Sequence, residues 1–219
     1  MIRRVLPFAA LLVWCGALVA LRLERSNSAS YAFLIWNLFL AAIPFGAALV
    51  VDALDRMRKL VALQWFGLVV WLLFLPNAPY IVTDFIHLRQ RPGIPLWFDV
   101  LLLISSAGTG LLLGYGSVMI VQRIIARRHG RKSGWCVAIV SLLLSAFGIY
   151  LGRFLRWNSW EILSDPLPLF VDIAARLMNP LDHPTTLAVT VLFGVALTLG
   201  YIALHALSET GRDDARDVQ

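Results

Sequence analysis

The segment FLPNAPYIVTDFIHL, residues 74–88, places a carboxylate and an imidazole where a long apolar run stops. Tyr80, Asp84, His87 and Arg91 recur at i, i+4, i+7 and i+11, so a helix here carries them on one polar face. Ile81, Phe85 and Leu88 form the adjoining apolar stripe, and the pattern predicts a short amphipathic helix over 80–91. An imidazole oriented by a neighbouring carboxylate is what a general base requires. A second polar group lies in IYLGRFLRWNSWEIL (149–163), where Arg153 and Arg156 are three apart. The planar fork of a guanidinium suits phosphate. The candidate catalytic residues are therefore Asp84 and His87. The candidate ligand-binding residues are Asn37, Tyr80, Asp99, Arg153, Arg156, Asn158 and Glu161.

The chemistry this set offers is binding of, or acid–base work on, a lipid-linked or phosphate-bearing envelope substrate. No HExxH, GxSxG or acid-rich phosphatase pattern accompanies it. Asp84 and His87 would give a metal two ligands, but a third must be borrowed from Asp99 or Glu161, so no metal is assigned and any cofactor is unknown. A structural reading competes. In it Asp84 or Asp99 pairs with Arg153 or Arg156 to lock loops onto the rest of the chain, Tyr80 anchors at an interface, and Asn158 caps a helix.

The elements that must position these residues are set by composition. At 219 residues, 59% hydrophobic and 15% charged, the chain has too little polar surface for a soluble globule of its size. Apolar runs at 5–21, 31–51, 60–75, 100–122, 134–151 and 185–207 predict an all-α, polytopic, single-domain membrane protein with six spans. The first and third are short for a hydrocarbon layer of about 30 Å. The first resembles a signal peptide, with Arg3 and Arg4 before it and Leu18-Val19-Ala20 as a poor cleavage site; it is read as a retained helix. Cys15 and Cys136 fall inside spans and read as free apolar thiols.

With the N-terminus inside, twelve of the nineteen basic residues fall on the inner side, which predicts that both termini are cytoplasmic. The basic run RIIARRHGRK is explained by this topology, and the expected partner is the lipid bilayer rather than nucleic acid. The two long connections, 76–99 and 152–184, then share the outer face and carry the polar set. Pro76 and Pro79 predict that the third span ends near Leu75. Asn158 and Glu161 have capping-box spacing. Asp165-Pro166 predicts the start of a second amphipathic helix, running to about Met178 with Asp172 and Arg176 paired.

Within the spans, Ser106, Gly110 and Gly114 form a small-residue stripe that invites close approach of another helix. Asn37 lies about 9 Å below the outer surface at ~1.5 Å per residue and is expected to bond to another helix. Pro44, on the same face, offers a break in the second span. This is the basis for an alternative reading as a small carrier or permease, although the span centres hold almost no charge. An accessory membrane subunit is a third reading.

The blocks WNLFLAAIPF (36–45), WLLFLPNAPYIVTDFIHL (71–88), PLWFDVLLLISSAGTGLLLGY (95–115) and IYLGRFLRWNSWEIL (149–163) resemble, in order, those of a bacterial integral-membrane family, domain of unknown function 1361. The resemblance covers roughly residues 30–205. It implies a polytopic membrane protein and supplies no reaction, substrate or catalytic residue.

Overall fold

Apolar sequence with sparse helix breakers folds here into helices and turns. The computed structural model describes the chain except residues 1, 27, 58, 59, 92, 158, 160, 218 and 219 and the side chains of 2–4, 162, 163, 177 and 210–217. The helices are α1 (Ile2–Ser26), α2 (Phe33–Met57), α3 (Val61–Phe74), α4 (Asn77–Tyr80), α5 (Leu96–His129), α6 (Arg131–Phe154), α7 (Glu161–Ser164), α8 (Pro166–Met178) and α9 (Pro184–Asp217), with 3₁₀ segments at Ile81–His87 and Pro180–Asp182. Among the described residues the only extended pairing is an isolated bridge between Arg91 and Ile94.

Six stretches are long and apolar enough to cross a membrane: Val5–Ser26, Phe33–Met57, Val61–His87, Leu96–His129, Arg131–Phe154 and Pro184–Glu209. The all-α polytopic architecture follows. The chain forms two compact units, Met1–Ile120 and Val121–Gln219, with the boundary inside α5.

In the first unit the third span departs from expectation. At ~1.5 Å per residue, the fourteen residues of α3 reach only about 21 Å, short of the hydrocarbon thickness. Helical structure resumes at Asn77 and continues through the 3₁₀ segment to His87. α3 itself ends at Phe74, where the prolines predict, while the apolar stretch continues past it to His87. Pro76 and Pro79 occupy the cap and first turn of α4, where a missing N–H costs nothing, and Tyr80 N–H bonds to Pro76 O at 3.1 Å. The expected helix over 80–91 therefore begins earlier, is wound as a tighter 3₁₀ turn, and stops at Leu88, whose backbone is extended (φ −66°, ψ 112°). Arg91 lies beyond it, in the bridge to Ile94.

The small-residue stripe of α5 receives this re-wound segment. A Cβ at Gly110 would strike the carbonyl oxygen of Ala78, and one at Gly114 would lie 3.0 Å from the Ala78 methyl. Ser106 is fully buried on the same stripe. α2 runs unbroken through Pro44, contrary to the break on which the carrier reading relied. Cys15 is buried, with its Sγ 3.3 Å from Thr109 Oγ1.

In the second unit α6 packs along α9. Gly194 meets Leu143 there, where an added Cβ would come within 2.7 Å of Leu143 Cδ2. The Tyr201 hydroxyl donates to Gln122 Oε1. α6 ends at Phe154, so Arg153 and Arg156 do not share a helical face. Arg156 turns left-handed (φ 63°), letting Trp157 N–H reach Leu151 O at 3.1 Å. α8 begins after Asp165 with Pro166 in its first turn, as the sequence predicts, although the Asp165 side chain makes no capping bond.

The close approach at Gly110 is testable. Gly110→Ala should lower thermostability in detergent, costing roughly 1–3 kcal/mol through overpacking against backbone. Gly108→Ala, where no atom lies within 4 Å, should be neutral or gain up to about 1 kcal/mol from helix propensity.

Candidate functional site

The polar groups of the first unit gather at one end of its helices, and a buried ion pair organises them. Arg22, in the last turns of α1, and Asp99, in the first turn of α5, are each 1% exposed. Arg22 Nε donates to Asp99 Oδ1 at 2.6 Å and Nη2 to Oδ2 at 3.3 Å, a two-pronged contact. The sequence offered Arg153 or Arg156 as the partner of Asp99. The partner is Arg22, because α1 runs five residues past the end of the apolar core that the sequence marked, to Ser26, and carries the guanidinium to the start of α5. Arg22 Nη1 is buried without a hydrogen-bond partner.

Tyr31, fully buried in the turn between α1 and α2, lies between two cations. The Arg22 guanidinium is 5.3 Å and the Arg91 guanidinium 5.4 Å from its ring centre. Burial pushes the Tyr31 phenol above its ordinary range, and the charge of Asp99 adds to this while Arg91 and Arg22 oppose it. The phenol stays protonated and donates to the backbone carbonyl of His87 at 3.0 Å. The end of the 3₁₀ segment is thereby tied to the α1–α2 turn.

Asn37, on α2, donates from Nδ2 to Asp84 Oδ2 at 2.8 Å, the interhelical bond expected of it. Asp84 is 1% exposed. Three residues on, His87 is exposed, its ring set edge-on to Phe33 with centres 5.1 Å apart. Asp84 therefore faces the protein and His87 faces outward. Tyr80 is half-buried at the start of the segment. Its residue type gave the interfacial expectation, and the Tyr80 carbonyl accepts from Thr83 Oγ1 at 2.6 Å.

Beside the ion pair lies a cleft of about 300 Å³ lined by Leu21, Arg25, Gly93, Ile94, Pro95, Trp97 and Phe98. Its volume is at the lower end for ligand sites. The walls are apolar or backbone, and Arg25 is the charged lining residue, so the cleft suits an amphiphile with an anionic head. Gly93 has φ 81° where the chain turns. Trp97 is 64% exposed at its edge, as an interfacial anchor would be.

The second unit holds the remaining candidates. Arg153 is half-buried and Arg156 exposed. Asn158, the expected helix cap, lies outside the described residues, and α7 is described over Glu161–Ser164. The expected pair is present: Arg176 Nη1 sits 3.2 Å from Asp172 Oδ1, and Trp157 Nε1 donates to Asp172 Oδ2 at 2.8 Å.

Sequence reasoning counted Arg22 and Arg25 only as topological charges and passed over Tyr31. The available signal was an arginine directly after the end of an apolar run, which needs a partner if the helix continues. Removing one member of the pair should show its weight. Asp99→Ala leaves Arg22 buried and uncompensated and should cost about 3–5 kcal/mol in detergent unfolding. Replacing both, Arg22→Met with Asp99→Leu, should recover most of that loss.

No curated protein and no solved structure matches the chain. A family model described as a protein of unknown function (DUF1361) matches residues 36–199, which span Asn37, Asp84, His87 and Asp99 but leave out Arg22, Arg25 and Tyr31. The chain is a membrane-protein member of that family.

Proposed function

We propose that this protein binds a lipid-linked, phosphate-bearing substrate of the bacterial cell envelope at the outer face of the inner membrane. The observation that carries the reading is the cleft beside the Arg22–Asp99 pair. Arg25 supplies one cation to an otherwise apolar cavity, next to an exposed tryptophan, and this combination fits a charged head with a hydrocarbon tail. Arg91 is the further candidate phosphate contact within the first unit; Arg153, Arg156 and Glu161 remain candidates on the second unit by residue type alone. His87 is the candidate general base: exposed, with its backbone held by Tyr31 and Asp84 anchored on Asn37 one turn earlier. A salt-bridge network alone has no use for an outward imidazole. Tyr80 and Asp99 support the geometry in this reading.

The structural alternative draws on the fact that Asp99 has Arg22 and Asp84 has Asn37. Two readouts separate the two. Purification in mild detergent followed by mass spectrometry of bound lipid should find phosphate-bearing, lipid-linked species enriched over the bulk membrane and depleted in Arg25→Ala. His87→Ala should keep wild-type thermostability and bound lipid yet fail to complement a deletion phenotype. If bound lipid mirrors the bulk membrane in both proteins, and His87→Ala loses stability without losing complementation, the polar end is structural.

The orientation rests on the excess of arginine and lysine in the short loops of one side. Cysteines at Arg128 and Ser164 should label from opposite sides of the membrane, Ser164 from outside. Labelling from one side only removes the six-span topology, and the reverse labelling moves the site to the cytoplasmic face.

A further inference from the structure

Helix α8 is built the opposite way from a helix that lies on a water-soluble protein. Its exposed stripe is apolar: Leu167, Phe170, Val171 and Met178 recur at i, i+3, i+4 and i+11 and are 76%, 54%, 67% and 79% exposed. Its cation turns inward. The Arg176 side chain is only 12% exposed, packs over the Tyr150 ring of α6 at 5.9 Å and holds Asp172, whose side chain is 37% exposed and accepts from Trp157. In water this arrangement exposes hydrocarbon and withdraws a guanidinium from solvent, and both are unfavourable. Next to hydrocarbon both become favourable.

We propose that α8 is embedded in the acyl-chain region of the leaflet into which α6 and α9 emerge, with its apolar stripe against lipid and the Asp172–Arg176 pair sheltered behind it. The connections allow nothing far from the membrane. Five residues separate Met178 from Pro184, where the α9 span begins, and eleven separate Phe154 of the α6 span from Pro166. The stripe also continues an apolar surface that is already membrane-facing: Leu181 on the connection is 83% exposed, and Leu187, Val191 and Leu192 are exposed along the first turns of α9. An amphipathic helix so placed sits ~5–10 Å into the boundary between headgroups and acyl chains. Pairing Asp172 with Arg176 removes two isolated charges from that depth. The occupant of this face is therefore lipid, rather than a second copy of the chain or another protein.

Nitroxide labels test this in the full-length protein reconstituted into phosphatidylcholine–phosphatidylglycerol vesicles. Cys136 is replaced by Ser; Cys15 is buried and can stay. Labels go singly on cysteines at Leu167, Val171 and Met178, exposed positions where a change of side chain leaves the packing intact, and at Ser164 as the reference. The expected result is an oxygen-to-nickel-complex accessibility ratio several-fold higher at the three stripe positions than at Ser164. A nickel accessibility equal to that of Ser164 puts α8 in water and overturns the proposal. Low accessibility to both reagents at all three positions means protein covers the stripe, and overturns it equally.

Discussion

Arg22 and Asp99 meet almost wholly out of solvent, and much of the first unit's polar end hangs from their contact. Neither charge is tolerable there alone, since the desolvation of a buried ion costs several kcal/mol unless a partner and further hydrogen bonds offset it. The pair therefore fixes how the end of α1 faces the start of α5. Tyr31 lies over the same guanidinium, so the turn into α2 follows. Its hydroxyl reaches the carbonyl of His87, which fixes where the 3₁₀ segment ends. Arg91, whose guanidinium also lies over the Tyr31 ring, bridges to Ile94, which lines the cleft. Three chain segments distant in sequence thus take their positions from one charge pair.

A second constraint works from below. α3 is too short to cross the hydrocarbon layer, so residues 77–87 must complete the crossing in helical form, with every backbone group satisfied internally. That is possible because α5 presents glycine where Ala78 arrives. A segment pressed this closely against a neighbour has one face turned to protein, and Asp84 falls on it. The carboxylate can be buried there because Asn37 donates to it from α2. The exposed position of His87 three residues later follows from the same segment reaching its end.

The sequence made the helices legible because hydrocarbon demands long apolar runs, and all six were found with ends within a few turns of those observed. It also showed the packing role of Ser106, Gly110 and Gly114, the interhelical bond of Asn37, the start of α8 and the Asp172–Arg176 pair. Each of these is a local pattern or a residue with few alternatives. The end of α3 near Leu75 was legible, but the helical turn that Pro76 and Pro79 open straight after it was not. Whether a proline also opens a new turn depends on whether the carbonyls before it are satisfied elsewhere, which no window of sequence reports. The partner of Asp99 was missed for a different reason. Arg22 and Asp99 are 77 positions apart, and only the three-dimensional path of α1 brings them together.

The same physics bears on the choice between a carrier and a fixed site. Alternating access needs an element with two arrangements of similar energy, and such elements are broken helices or weakly held interfaces. α2 passes through Pro44 without a break, and its one buried-end amide is committed to Asp84. α1 is committed to α5 by a pair that cannot open without stranding a charge. The buried charges of the first unit, Arg22, Asp84 and Asp99, lie near the ends of their spans, and the buried polar residues further along α5, Ser106, Thr109 and Ser117, are uncharged. A molecule built this way holds one end in a single geometry. The proposed binding of an amphiphile, with its head held at Arg25 and its tail left in the bilayer, calls for a fixed end of this kind, whereas carrying a polar solute across calls for one that moves.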